Sequence, residues 1–256
     1  MIDSHCHLNH NSFYSNPKKY IDEAMSKGVE AFLVIGYDLD SSKRAFELAK
    51  RFENIYAAVG IHPTDIKKRG PNDLKEIEDM LTHPKVIGYG EIGLDYYWDK
   101  DEKTQKEQKL YFIEQIKTAN KYHKPIIVHN RDAAYDTYKI LTDNTPLYGG
   151  IMHCYSGSAE MVSNYTNLGL YISLGGPVTF LNAKTPKEVA KITPLNYLLI
   201  ETDSPYLAPH PLRGQPNNPG NLPLILNEIA HLRNVDAQTI DEATTANFKR
   251  LFQLEK

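Results

Sequence analysis

Short apolar, often β-branched runs alternate along the chain with longer segments in which apolar residues return every three or four positions. The runs cover 2–6, 31–35, 56–61, 86–92, 125–129, 150–154, 170–174 and 197–202, and they predict eight strands. Helical spacing shows between them at 17–27, 41–51, 72–81, 102–122 and 133–141. Within 102–122, Leu110, Ile113, Ile116 and Ala119 recur at that spacing, with Lys and Glu in between. Asp40-Ser41-Ser42 offers N-caps, and Asn16-Pro17 sets a proline in a first turn. Eight strands alternating with helices predict a TIM-type (β/α)8 barrel of the α/β class. A doubly wound open sheet competes, but no G-x-G-x-x-G turn follows the first strand. Five prolines and two glycines within 208–223 read as a loop over the barrel mouth. Two helices, about 224–232 and 237–252, then close the chain. With no internal repeat, linker or low-complexity tract, residues 1–256 read as a single domain.

Composition works by exclusion. At 41% hydrophobic and 24% charged residues, the chain has the balance of a folded soluble protein. Its 29 basic and 32 acidic residues leave a formal charge of −3, which argues against a broad basic surface for nucleic acid. A local grip on phosphate through metal ions stays open. No apolar stretch approaches the ~20 residues of a membrane span. The first residues lack a signal-peptide pattern, and the two cysteines, Cys6 and Cys154, form no CxxC. These features predict a cytoplasmic protein with no membrane association and no obligate protein partner.

Candidate chemistry gathers at the ends of the runs. Asp3-Ser4-His5-Cys6-His7 closes the first, and strand alternation turns His5 and His7 to one face and Cys6 to the other. Two imidazoles so placed can share one divalent ion. Glu91, His129, His153 and Asp203 stand at the ends of the fourth, fifth, sixth and eighth runs. In a barrel those ends converge on the face where active sites lie. Six nitrogen and oxygen ligands would then surround one mouth. Cys6 and Cys154, next to ligands, turn outward towards the helices by the same alternation.

The ordered motifs reach almost from end to end: Asp3-Ser4-His5-Cys6-His7-Leu8, Gly60-Ile61-His62-Pro63, Gly90-Glu91-Ile92-Gly93-Leu94-Asp95 and His153-Cys154-Tyr155-Ser156-Gly157. They continue through Glu201-Thr202-Asp203-Ser204-Pro205-Tyr206-Leu207, Arg213-Gly214 and Asn247 with Leu251-Phe252. In these the chain resembles the TatD-type metal-dependent deoxyribonucleases of the metal-dependent hydrolase superfamily. The resemblance implies that His5 and His7 hold a first metal, Glu91 bridges two, His129 and His153 hold the second, and Asp203 stands beside the first metal and the nucleophilic water. It also implies a 3′-5′ exonuclease on single-stranded DNA. After Arg213-Gly214 the loop reads Gln215-Pro216-Asn217-Asn218-Pro219, where the family usually has a basic residue.

The chemistry agrees with that assignment. One carboxylate has two oxygens with which to bridge, and two divalent ions can activate a water and clamp both oxygens of a phosphodiester. Asp203 can take the water's proton and return it to the leaving alkoxide. The mixed ligands leave Mg, Mn and Zn open. His62 either donates to a substrate phosphate or caps its strand, and Arg213 either forks a phosphate or pairs with an acidic loop neighbour. Glu201 either touches a metal or fills a polar barrel layer. Tyr96, Tyr97, Trp98, Tyr155 and Tyr206 either stack bases or pack locally. The alternative activity is hydrolysis of another ester or amide, such as an aminoacyl ester at an RNA 3′ end, a lactone or a cyclic amide.

Overall fold

Parallel pairing runs from the first strand to the last. The computed structural model describes residues 1–254. Its strands are β1 (Ile2–Cys6), β2 (Ala31–Ile35), β3 (Ile55–Val59), β4 (Val86–Asp95), β5 (Ile126–Arg131), β6 (Gly150–Met152), β7 (Leu170–Leu174) and β8 (Leu198–Ile200). They follow one another in that order in one sheet. Just past β8 the chain returns to the end of β1. Asp203 N–H donates to His5 O, and His7 N–H donates to Ser204 O, both at 2.9 Å. The sheet is therefore the expected (β/α)8 barrel, with its seam beside three of the candidate residues. Positions 255–256 of the predicted domain lie outside the described residues.

The connecting helices are α1 (Asn11–Tyr14), α2 (Pro17–Ser26), α3 (Leu39–Arg51), α4 (Asp73–Met80), α5 (Glu102–Lys121), α6 (Ala134–Asp143), α7 (Val162–Asn167) and α8 (Thr185–Ile192). Pro17 opens α2 as expected, but α3 is capped two residues before the predicted site. Asp38 accepts from Ser41 N–H, and Ser41 Oγ accepts from Asp38 N–H in return, a reciprocal box that fixes the start. Helices α1 and α7, at four and six residues, are too short for their period to stand out in the sequence. Then come α9 (Leu222–Arg233) and α10 (Ala237–Leu251). Among the described residues no helix is long and apolar enough to cross a membrane.

Two apolar layers follow from strand alternation. Phe32, Val34, Ala57, Val59, Ile126 and Val128 face outward into the larger core beneath the helices. Leu33, Ile35, Ala58, Ile127, Ile151 and Leu199 face inward and pack with Phe248, Leu251 and Phe252 of the C-terminal segment. Phe252 sits against Gly88, near the start of β4, so α10 plugs the bottom of the barrel. Asn247 Nδ2 donates to Leu195 O and Leu198 O at 2.8 Å, securing the plug to the entry of β8. The Asn247, Leu251 and Phe252 signature is thus structural. The opposite end stays free for polar chemistry.

Two irregularities aim side chains at that end. Asp3 pairs with Phe32 and Cys6 with Val34, so Ser4 and His5 together oppose Leu33 alone. In the same way Tyr89 pairs with Ile126 and Ile92 with Val128, leaving Gly90 and Glu91 opposite Ile127. Each is a β-bulge, which shifts the inward frame by one residue. Counted from inward-facing Ile2, unbroken alternation would send Cys6 into the mouth and His5 and His7 outward. With the bulge, Cys6 is fully buried in the outer layer and the two histidines face the mouth. Gly90 is required at the second bulge, because a Cβ there would stand 2.6 Å from Ile127 Cβ and 2.8 Å from Ile127 O.

Candidate metal centre

The carboxylate of Glu91 lies between two groups of ligand atoms. Its Oε2 is 3.5 Å from His5 Nε2. His7 Nε2 lies 3.3 Å from His5 Nε2, and Asp203 Oδ1 is 3.5 Å from His7 Nε2 and 3.7 Å from His5 Nε2. Its Oε1 is 3.0 Å from His129 Nδ1, 3.1 Å from His153 Nε2 and 3.6 Å from His62 Nε2. The His5 and His153 rings stack between the groups with centroids 3.8 Å apart. All six expected ligands therefore meet in one place, with His62 as a seventh neighbour. Their positions differ in detail from strand ends. Glu91 lies within β4, His153 follows β6 by one residue, and Asp203 follows β8 by three with a positive φ of 53°.

Around these side chains a further set of bonds fixes the imidazoles. His7 Nδ1 lies 3.0 Å from Ile35 O, His129 Nε2 is 3.0 Å from Asp95 Oδ2, and His153 Nδ1 is 3.1 Å from Glu201 Oε1. Carbonyls and carboxylates only accept, so each of these far nitrogens carries a proton. In a neutral ring the near nitrogen is then a lone pair, pointing at Glu91 or Asp203. Lone pairs facing carboxylate oxygens at 3.0–3.5 Å repel unless a proton or a cation lies between them. The direction of every pKa follows from that crowding. Burial opposes ionisation of Glu91, yet His153, His62 and His129 hold its carboxyl well below the usual range. Burial opposes protonation of His153, yet Glu91 and Glu201 push it well above an ordinary histidine. His129 and His7 are raised against burial by Asp95 with Glu91 and by Asp203 respectively. His5 falls, through burial and the neighbouring His153.

The donor set fits divalent cations on this evidence. Ligand atoms ~2.1 Å from one ion stand roughly 3 to 3.5 Å apart, close to the 3.0–3.7 Å separations between the six ligands here. Imidazole nitrogen mixed with carboxylate oxygen suits Zn, Mn or Fe and accepts Mg.

Several neighbours resolve readings that alternation left open. Glu201 Oε1 accepts from Cys154 N–H at 2.8 Å as well as meeting His153, so Glu201 orients a histidine. Strand β8 ends at Ile200, so strand alternation does not set the direction of Glu201. The same applies to Cys154, which lies beyond the end of β6, is partly exposed and has φ 40°, so it occupies no outward strand position. His62 caps the 3-10 turn Pro63–Lys68, its Nδ1 accepting from Thr64 N–H at 3.2 Å. Its proton is then on Nε2, facing Glu91, and burial together with His129 lowers its pKa to about 3. Arg213 is exposed, lies 4.5 Å from the Phe180 ring centroid and has no acidic partner among the described residues. Tyr155 packs locally through an O–H bond to Ser158 O, and Tyr96 bonds Asp136, whereas Tyr97, Trp98 and Tyr206 are exposed.

Asp95 had no role in the sequence reading. It is buried, bonds His129, and shares the inward face of β4 with Glu91 through Gly93. Alternation past the bulge would have found it. Gly93 has φ 143°, and a Cβ there would lie 2.0 Å from His129 O.

If Glu201 orients His153, Glu201→Gln weakens divalent-metal affinity roughly 10- to 100-fold. A chelator competition titration measures this, and unchanged affinity would remove Glu201 from the centre.

Comparison with known proteins agrees. The model of the family described as TatD related DNase matches residues 2–253. YabD, an uncharacterized metal-dependent hydrolase of Bacillus subtilis, is 43% identical over 99% of both chains. YcfH of Escherichia coli, also an uncharacterized metal-dependent hydrolase, is 34% identical over 100% of this chain and 96% of its own. The crystal structure of YjjV, a TatD homologue from E. coli, superposes with a TM-score of 0.94 at 29% identity, covering 100% of this chain and 98% of that one. A barrel with this constellation at its mouth, matched along its whole length by such relatives, belongs to the TatD family of metal-dependent hydrolases.

Proposed function

We propose that this chain is a phosphodiesterase that shortens single-stranded DNA from its 3′ end, with two divalent ions at the barrel mouth. The observation that carries the reading is Glu91, one carboxylate whose two oxygens face two separate ligand groups. His5, His7, Asp203 and Glu91 would hold one ion, and Glu91, His129 and His153 the other. Ions there would make water more acidic and offset the charge that develops on phosphodiester oxygens.

The chain's own groups supply the rest. Asp203 accepts the proton of the attacking water as its oxygen bonds to phosphorus. The P–O3′ bond then breaks, and the proton passes to the leaving 3′ oxygen. His62 offers Nε2–H to a non-bridging phosphate oxygen, the only orientation its cap at Thr64 permits. Arg213 brings an exposed guanidinium on the mouth loop, beside Phe180, for a second phosphate. A bounded mouth receives a strand end more readily than the middle of a duplex. The family description, TatD related DNase, supports the same substrate class.

The test is a time course on 5′-labelled single-stranded DNA with Mg or Mn. The expected product is a ladder that shortens stepwise from the 3′ end. A metal-loaded protein that leaves the strand intact but cuts esters or lactones would overturn the reading.

A further inference from the structure

The chain has one tryptophan, and it is exposed at the mouth. Trp98 is 67% exposed and lies three residues beyond Asp95, the end of β4. Its ring packs edge-on against Tyr97 with centroids 4.8 Å apart. Arg131, the last residue of β5, lays its guanidinium 3.8 Å from the Tyr97 centroid and 5.7 Å from that of Trp98. Among the described residues no carboxylate comes within ion-pair distance of Arg131, whereas Lys67 and Lys109 pair with Asp99 and Asp136.

The cluster is tied to the metal centre by one side chain. Asp95 Oδ1 accepts from Trp98 N–H at 2.9 Å, and Asp95 Oδ2 bonds His129 Nε2. A second tie runs from Tyr96 N–H to Arg131 O at 2.9 Å. The indole, the phenol and the guanidinium thus stand on the rim at a position set by the same carboxylate that sets His129. An exposed tryptophan costs solubility and gains nothing by burial here. An arginine without an acidic partner, placed over an aromatic ring, presents its donors as a planar fork.

We propose that Trp98, Tyr97 and Arg131 form a subsite for the nucleotide next to the scissile phosphate, an inference that rests on the strand-cleaving function above. A base stacks on the indole, and the guanidinium forks a phosphate oxygen of the same strand. Stacking on a π-face tolerates any base, so the subsite confers grip on unpaired ends without sequence preference. A base inside a duplex has both faces covered by its neighbours and cannot use it.

The lone tryptophan supplies the readout. Asp203→Asn protein with Mn bound is titrated with a 5′-labelled single strand, and with the same strand carrying abasic residues at its 3′ end. Label anisotropy reports binding while indole emission reports stacking. The expected result is quenching by the normal strand, and bound abasic strand that leaves emission unchanged. Trp98→Ala weakens binding roughly 5- to 100-fold, with Trp98→Phe restoring most of it. Arg131→Gln lowers the slope of log K against log salt by about 0.7, one phosphate contact on a single strand. Bound strand with unquenched indole, or unchanged affinity in Trp98→Ala, overturns the subsite alone. No binding of any single strand overturns the subsite and the strand-cleaving function together.

Discussion

Asp203→Asn is expected to lower kcat for phosphodiester cleavage by about 10²- to 10⁴-fold, the range of a lost general base. The substitution keeps the shape of the side chain and one carbonyl oxygen towards His5 and His7, so comparing bound metal separates lost proton transfer from a lost charged ligand. Burial opposes ionisation of Asp203, but the bond to His7 and the charges of His153 and His5 hold its carboxyl below the ordinary range. It is therefore ionised at neutral pH and ready to accept. Its backbone is fixed independently of the side chain, since Asp203 N–H donates to His5 O across the barrel seam. The variant should fold normally and bind a single strand. Single-turnover cleavage, measured beside the bound-metal content of each protein, checks the claim. Turnover within a factor of three of the parent, with metals retained, would assign the base elsewhere.

How far the sequence reaches is clear from individual residues. Eight strands and their order are legible because hydrophobic period survives small errors in boundaries. His129, His153 and Asp203 are legible because residue types that bind metals are uncommon at the ends of apolar runs. The bulges at Ser4-His5 and Gly90-Glu91 are not, since an extra residue in one strand changes no composition and shows only against its partner. The reading of His5 and His7 nevertheless holds, because alternation resumes after the bulge. Asp95 shares the inward face with Glu91 by alternation and Glu201 is a visible candidate, but what each does is not legible. Each acts through the atom of a neighbour it touches, on β5 and after β6 respectively, and those contacts exist only once the barrel closes. Trp98 is visible as a candidate for base stacking, but its contact with Arg131, 33 residues away in sequence, exists only because β4 pairs with β5 at Asp95 and Arg131.

Glu91→Gln should have the broadest effect, because both ligand groups lose a shared charge at once. A metal ion contributes several kcal/mol to the transition state, so cleavage falls by about 10³-fold or more. The distinguishing measurement is thermal. Saturating Mn at about 100 times its dissociation constant stabilises the parent by about 2.7 kcal/mol for one ion. In a domain of this size that raises Tm by roughly 5 to 10 °C. Glu91→Gln should lose most of this shift. In chelator the two proteins should melt within a few degrees of each other. The amide keeps the volume and can donate to the lone pairs of His129 and His153 that the carboxylate faced, so the packing survives. That near-equality matters, because a variant that melted early in chelator would report a damaged barrel instead of a missing ligand. A Mn-dependent shift as large as the parent's would mean that the two histidine groups bind metal without Glu91, and the bridging assignment would fall.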